Sequence, residues 1–115
     1  MLFGMNKDTE PAEAEYRRLA SQLAKTGWIS HGYVQNRGPG AGGPCYQWTR
    51  KVRGKTVSVA LSKEQYLWMK KAIANWQKTQ ALLLRMEQMS RTIMFQTLPD
   101  TRRRKFLSKN VMGVN

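Results

Sequence analysis

Tyr46-Gln47-Trp48-Thr49-Arg50-Lys51-Val52-Arg53-Gly54-Lys55-Thr56-Val57-Ser58-Val59-Ala60-Leu61 decides the fold. β-branched and aromatic residues alternate with polar ones on both sides of Arg53-Gly54-Lys55, the single break in the pattern, which is the signature of a hairpin. A loop centred on Arg53-Gly54 sets Tyr46 opposite Leu61, Trp48 opposite Val59 and Arg50 opposite Val57, gathering the apolar groups on one face. The other face then carries Gln47, Thr49, Lys51, Thr56, Ser58 and Ala60, with Arg53 and Lys55 at the tip. Short hydrogen-bonding side chains around a cationic tip suit a phosphate backbone and base edges.

Outward from the hairpin, Ser62 caps a pattern from Lys63 to about Leu98 that contains no Gly or Pro and stops at Pro99. That predicts a helix of about 35 residues. At 1.5 Å per residue it spans roughly 50 Å, while six-residue strands reach roughly 20 Å, so only its first half has a sheet to cover. Tyr66, Met69, Ala72, Ile73 and Trp76 supply that half. Met69, Ala72, Trp76, Thr79, Leu83, Met86, Ser90, Ile93 and Thr97 continue a three–four spacing through the whole helix. Met69, Trp76, Leu83, Met86 and Ile93 are the candidate oligomer or partner interface on this seam. The alternative cover is a first helix folding back along it.

Upstream, Asp8 or Thr9 caps a helix with Pro11, Glu13 and Glu15 in its first turn, where the dipole favours acids. Tyr16, Leu19, Ala20 and Leu23 form its apolar stripe, and Lys25-Thr26-Gly27 closes it. Trp28 to Gln35 alternates loosely enough to add a third strand, weakened by Gly32. Asn36 to Pro44 is a Gly/Pro-rich loop. Downstream of Pro99, Asp100 is positioned to cap a short helix through Arg102, Arg103, Arg104 and Lys105. The expected class is therefore α+β: an N-terminal helix, a small antiparallel sheet of two to three strands, a long C-terminal helix and a short basic terminal helix. Residues 1–8 are expected to be a disordered start, 9–98 a single domain and 99–115 a basic tail.

Charge narrows the function. Twenty Lys and Arg against seven Asp and Glu give +13 over 115 residues. Asp8, Glu10, Glu13 and Glu15 face only Lys7 in the first fifteen residues, a local −3, which leaves +16 for residues 16–115. A polycation with interspersed aromatics points to nucleic acid ahead of an anionic membrane or an acidic protein.

Several chemistries drop out. Cys45 and His31 are single, so neither an internal disulfide nor a structural zinc site can be assembled, and a reduced cytoplasmic setting is expected. The N-terminus turns polar at Asn6, without a signal-peptide core, and no segment has the roughly 20 apolar residues of a membrane span. Gly54-Lys55-Thr56 fails as a phosphate-binding loop because that pattern needs Gly at position 49, where Thr49 lies in mid-strand. Glu64, Glu87 and Asp100 are the only acids after residue 15, too few and too separated for two-metal phosphoryl chemistry. No catalytic residue, metal or cofactor is assigned, and the chain reads as a non-enzyme.

The run Gly43-Pro44-Cys45-Tyr46-Gln47-Trp48-Thr49-Arg50, then Gly54-Lys55-Thr56, Leu61-Ser62-Lys63-Glu64-Gln65 and a long helix, resembles an uncharacterised family of short basic bacterial proteins associated with transposase genes and mobile elements. The likeness covers roughly residues 27–98 and implies a mobile-element setting without an established activity. Members carry a cysteine-rich loop before the hairpin; residues 36–44 here hold no cysteine, so no metal role carries over. In architecture the pattern also looks like the small β-sheet DNA readers of integrase arm domains and plant AP2-type factors, an analogy that does not fix function.

The leading expectation is a nucleic-acid-binding accessory module, for duplex DNA, using Gln47, Thr49, Lys51, Arg53, Lys55, Thr56 and Ser58, with Arg102, Arg103, Arg104 and Lys105 adding phosphate contacts. The alternatives are a protein-interaction module, as a coiled-coil homodimer or recombinase partner, and a single-stranded RNA binder stacking bases on Trp48 or Tyr33.

Overall fold

The computed structural model describes residues 10–40, 42–101 and 105–114. The elements are α1 (Glu10–Ala24), β1 (Tyr33–Asn36), β2 (Tyr46–Val52), β3 (Lys55–Leu61), α2 (Lys63–Thr97) and α3 (Lys109–Met112). The fold is α+β, with one antiparallel sheet in the order β1-β2-β3. Two compact units are present: Thr26–Thr79, holding the sheet and the first half of α2, and a helical unit made of the N-terminal 25 residues with Gln80–Asn115.

In the sheet unit, β2 pairs β3 with Tyr46 opposite Leu61, Trp48 opposite Val59 and Arg50 opposite Val57, the register that face matching predicts. The turn contains only Arg53 and Gly54, both with positive φ (51° and 80°), and Val52 pairs with Lys55 across it. Two consecutive residues at positive φ mark a type I′ turn, whose twist matches that of the flanking strands.

The third strand is shorter and later than the alternation over residues 28–35 suggests. β1 begins at Tyr33 and pairs Val34 with Trp48. Gly32 opens it at φ 112°, where a Cβ would run into the Trp48 ring nitrogen and the Thr49 carbonyl oxygen. The residue that weakens the strand pattern is thus the one that lets the chain pass beside Trp48. Ahead of it, residues 28–30 do not join the sheet. They lie on α2 instead: the Ser30 amide donates to the Ala72 carbonyl (3.2 Å), and Asn75 Nδ2 donates to the Trp28 carbonyl (2.9 Å).

Only Ser62 separates β3 from α2, and it caps the helix. Ser62 Oγ accepts from the Gln65 amide (3.1 Å), while Gln65 Oε1 accepts from the Ser62 amide (2.9 Å), the reciprocal bonds of a capping box. One turn later Tyr66 meets Tyr46, ring centroids 4.8 Å apart. Trp76 then packs on His31 at 4.3 Å. Beyond Tyr66, α2 meets the segment leading into β1 through Ala72, Asn75 and Trp76, and β3 is exposed from Lys55 to Ala60.

In the helical unit, Leu19 is buried on α1 with Tyr16, Ala20 and Leu23 half-buried beside it, the expected stripe. Glu13 is fully buried as well. It lies in the first turn, where the dipole favours an acid, and three residues before Tyr16 on the same face. The distal half of α2 contributes Met89 and Ile93 to this core. Asp8 and Thr9, the expected caps of α1, lie outside the described residues.

A short terminal helix is present after Ser108, whose Oγ accepts from the Val111 amide; the cluster expected to follow an Asp100 cap lies, at Arg102, Arg103 and Arg104, outside the described residues. Gly113 ends it at φ 72°, and Arg91 Nη1 donates to the Gly113 carbonyl at 3.2 Å. Phe95, Asp100, Lys105, Phe106 and Met112 share the lining of one recess in this unit.

Candidate nucleic-acid interface

The outer face of the hairpin is built by strand alternation. Gln47, Thr49 and Lys51 on β2 stand opposite Ala60, Ser58 and Thr56 on β3. Thr49 Oγ1 and Ser58 Oγ hydrogen-bond across the pair at 3.1 Å, which fixes both hydroxyls on this face. Lys51, Thr56, Ser58 and Ala60 are exposed; Gln47 and Thr49 are half-buried beside β1 residues Gln35 and Tyr33, their ladder partners on the other edge of β2. Arg53 and Lys55 are exposed at the turn. The structure therefore gathers Lys51, Arg53, Lys55, Thr56 and Ser58 on one end of one ribbon.

The opposite face departs from the expectation of a continuous oily interior. At its base Tyr46 is covered by Tyr66. Trp48 is half-buried, its Nε1 donating to the His31 carbonyl at 2.8 Å, with the Arg50 guanidinium 5.1 Å above its ring. Toward the tip the cover ends: Val57 and Val59 are 37% and 42% exposed, and Arg50 is exposed with them. The segment before β1 lies on α2 between Ala72 and Trp76, while β3 is exposed from Lys55 to Ala60. Arg50 thereby joins the cations of the tip, from the face on which cross-strand matching gathers the apolar groups.

Of the downstream cluster, Lys105 is exposed in the helical unit, and Arg102, Arg103 and Arg104 lie outside the described residues. The proposed seam is divided between the units. Met69 and Trp76 are half-buried in the sheet unit, whereas in the helical unit Met86 is half-buried, Leu83 exposed and Ile93 only 5% exposed. Its small polar members turn inward on their own helix: Thr79, Ser90 and Thr97 each donate to the carbonyl four residues back. That bond lets a hydroxyl be buried without a partner from another element.

A second surface went unread in the sequence. Trp28 and Trp68 are exposed and line one recess with Gly27, Lys71, Ala72 and Asn75. Trp68 also borders a neighbouring apolar hollow with Leu61, Glu64, Gln65 and Met69. The only signal was the pair of tryptophans itself, since Trp28 sits at the edge of a strand pattern and Trp68 off the helical seam.

Among the described residues no three His, Cys, Asp or Glu side chains come together as a metal site, and no helix is long and apolar enough to cross a membrane. No family model, curated protein or solved structure matches the chain.

Proposed function

We propose that this chain is a nucleic-acid-binding accessory module, acting in the cytoplasm within a mobile element, that sets the tip and outer face of its β2–β3 hairpin on duplex DNA. The observation that carries the reading is the uncovered ribbon: β3 is exposed from Lys55 to Ala60, and Lys51, Arg53 and Lys55 converge at its free end. A two-stranded ribbon fits the major groove. Arg53 and Lys55 grip phosphates, Arg50 adds charge on the face that Lys55 shares, and Gln47, Thr49, Lys51 and Ser58 meet base edges from the other. Lys105 and its three neighbouring arginines raise the general affinity for polyanions. No catalytic step is assigned.

Retention on duplex DNA across a salt series tests this. If roughly six phosphates are neutralised, the logarithm of affinity falls against the logarithm of salt with a slope near −5. Replacing Arg53 and Lys55 together by Ala weakens binding on every sequence, and Gln47→Ala chiefly alters sequence preference. Affinity indifferent to salt, or no binding at low salt, sinks the proposal.

A second reading, a protein-interaction module for a recombinase or a second copy, draws on exposed Leu83 and Leu84 in the helical unit. Leu83→Lys with Met86→Lys discriminates: loss of oligomer or partner with DNA binding intact favours it.

A further inference from the structure

We infer that the recess between Trp28 and Trp68 is a stacking site for one unpaired base of single-stranded nucleic acid. The inference deepens the nucleic-acid reading but rests on residues that the hairpin does not use. The backbone of residues 28–30 is fastened to α2 by two hydrogen bonds, Asn75 Nδ2 to the Trp28 carbonyl and the Ser30 amide to the Ala72 carbonyl. Trp28 therefore serves the fold through its main chain, while the residue stands 76% exposed. Trp68, 52% exposed, lies one helical turn before Ala72 on the same surface. A large ring on a fastened segment is held out to solvent without packing to account for it, and a second ring borders the same space.

The recess holds about 200 Å³, short of the roughly 300–1,000 Å³ of sites for drug-sized ligands, so it admits one flat ring system. Lys71 lines it, and α2 carries Lys63, Lys70, Lys71 and Lys78 against the single acid Glu64 over residues 63–79. A base stacked on an indole with its phosphate beside a lysine uses both features, and stacking tolerates any base because each has a π-face. An apolar peptide uses the rings alone and leaves the cations unanswered.

Fluorescence anisotropy of labelled dT15 and rU15, with an abasic 15-mer of equal charge, tests the site on the full chain. Trp28→Ala and Trp68→Ala are each expected to weaken dT15 or rU15 binding about tenfold, and to leave the abasic strand unchanged. Trp28→Phe restores most of the loss, and dU15 compared with rU15 identifies the sugar. Trp28→Ala keeps its backbone bonds, so its thermal midpoint stays at the wild-type value. Duplex binding, read in parallel, separates the two sites: it falls with Arg53 and Lys55 and not with the tryptophans. Equal binding of dT15 and rU15 by wild type and both alanine variants overturns the inference, as does an abasic strand held as tightly as the homopolymers. Saturation of the recess by an apolar peptide without any response to the oligonucleotides overturns it too.

Discussion

The two ends of the hairpin are made of the same alternating sequence and are held in opposite ways. At the base, Tyr46 meets Tyr66, Trp48 is tied to the His31 carbonyl, Gly32 passes close by, and the Ser62–Gln65 box starts the helix immediately after Leu61. At the tip, Val52 pairs with Lys55 and nothing lies within 4 Å of where a Gly54 Cβ would stand. Stability is thus concentrated where the sheet meets α2, and the cations are placed where little depends on them for folding. Substitutions at the base should act on folding, those at the tip on binding.

The largest expected effect breaks the base. Gly32→Ala puts a side chain at positive φ against Trp48 and Thr49, and should lower stability by about 3 kcal/mol, read from the urea midpoint. An unchanged midpoint means that β1 is not needed to seat Trp48. Next, Ser62→Ala removes one half of the capping box and should cost about 1 kcal/mol in the same assay, with little change in duplex affinity.

Arg53→Asn sharpens the contrast, because its two effects have opposite signs. Asparagine tolerates the left-handed conformation better than arginine, so stability rises by about 0.5 kcal/mol, while duplex affinity falls as one phosphate contact disappears. A loss of both would show that the tip does contribute to folding.

The smallest effect lies outside the sheet. The hydrogen bond from Arg18, 2.6 Å from Glu15, holds the Glu15 carboxyl below its ordinary range, aided by the charges of Arg18 and Arg85. Because the folded value is depressed, the pair contributes at neutral pH and is lost as pH falls through that lowered value. It is an exposed pair, so the acid-side difference between wild type and Glu15→Gln should be slight and vanish in high salt, with the hairpin unaffected.

Much of the sheet was legible. Alternation fixes which residues share a face, and face matching fixes the β2–β3 register, because a slip of one residue reverses every side chain. Ser62, the Gly-free run and Pro99 mark α2 to within a residue of its observed end at Thr97. The third strand was half legible: Gly32 reads as a flaw in a strand, and only the proximity of Trp48 makes it a requirement. Ser108 suits a cap by residue type, but four residues make too short a pattern to mark the helix that follows it, whose end Arg91 holds through the Gly113 carbonyl.

What the sequence by itself determined is therefore periodic and local: strand pairing, the tight turn, the capped long helix and the excess of cations around Arg53. Only the tertiary structure decided coverage. Residues 28–31 dock on α2 from Ala72 to Trp76, the His31 carbonyl ties down the Trp48 ring, Trp28 stays exposed, and Val57, Val59 and Arg50 stand without cover. Periodicity says which side chains point together, since it follows from the backbone of one element. Which of them are covered depends on where a segment distant in sequence comes to rest, and no residue type encodes that alone.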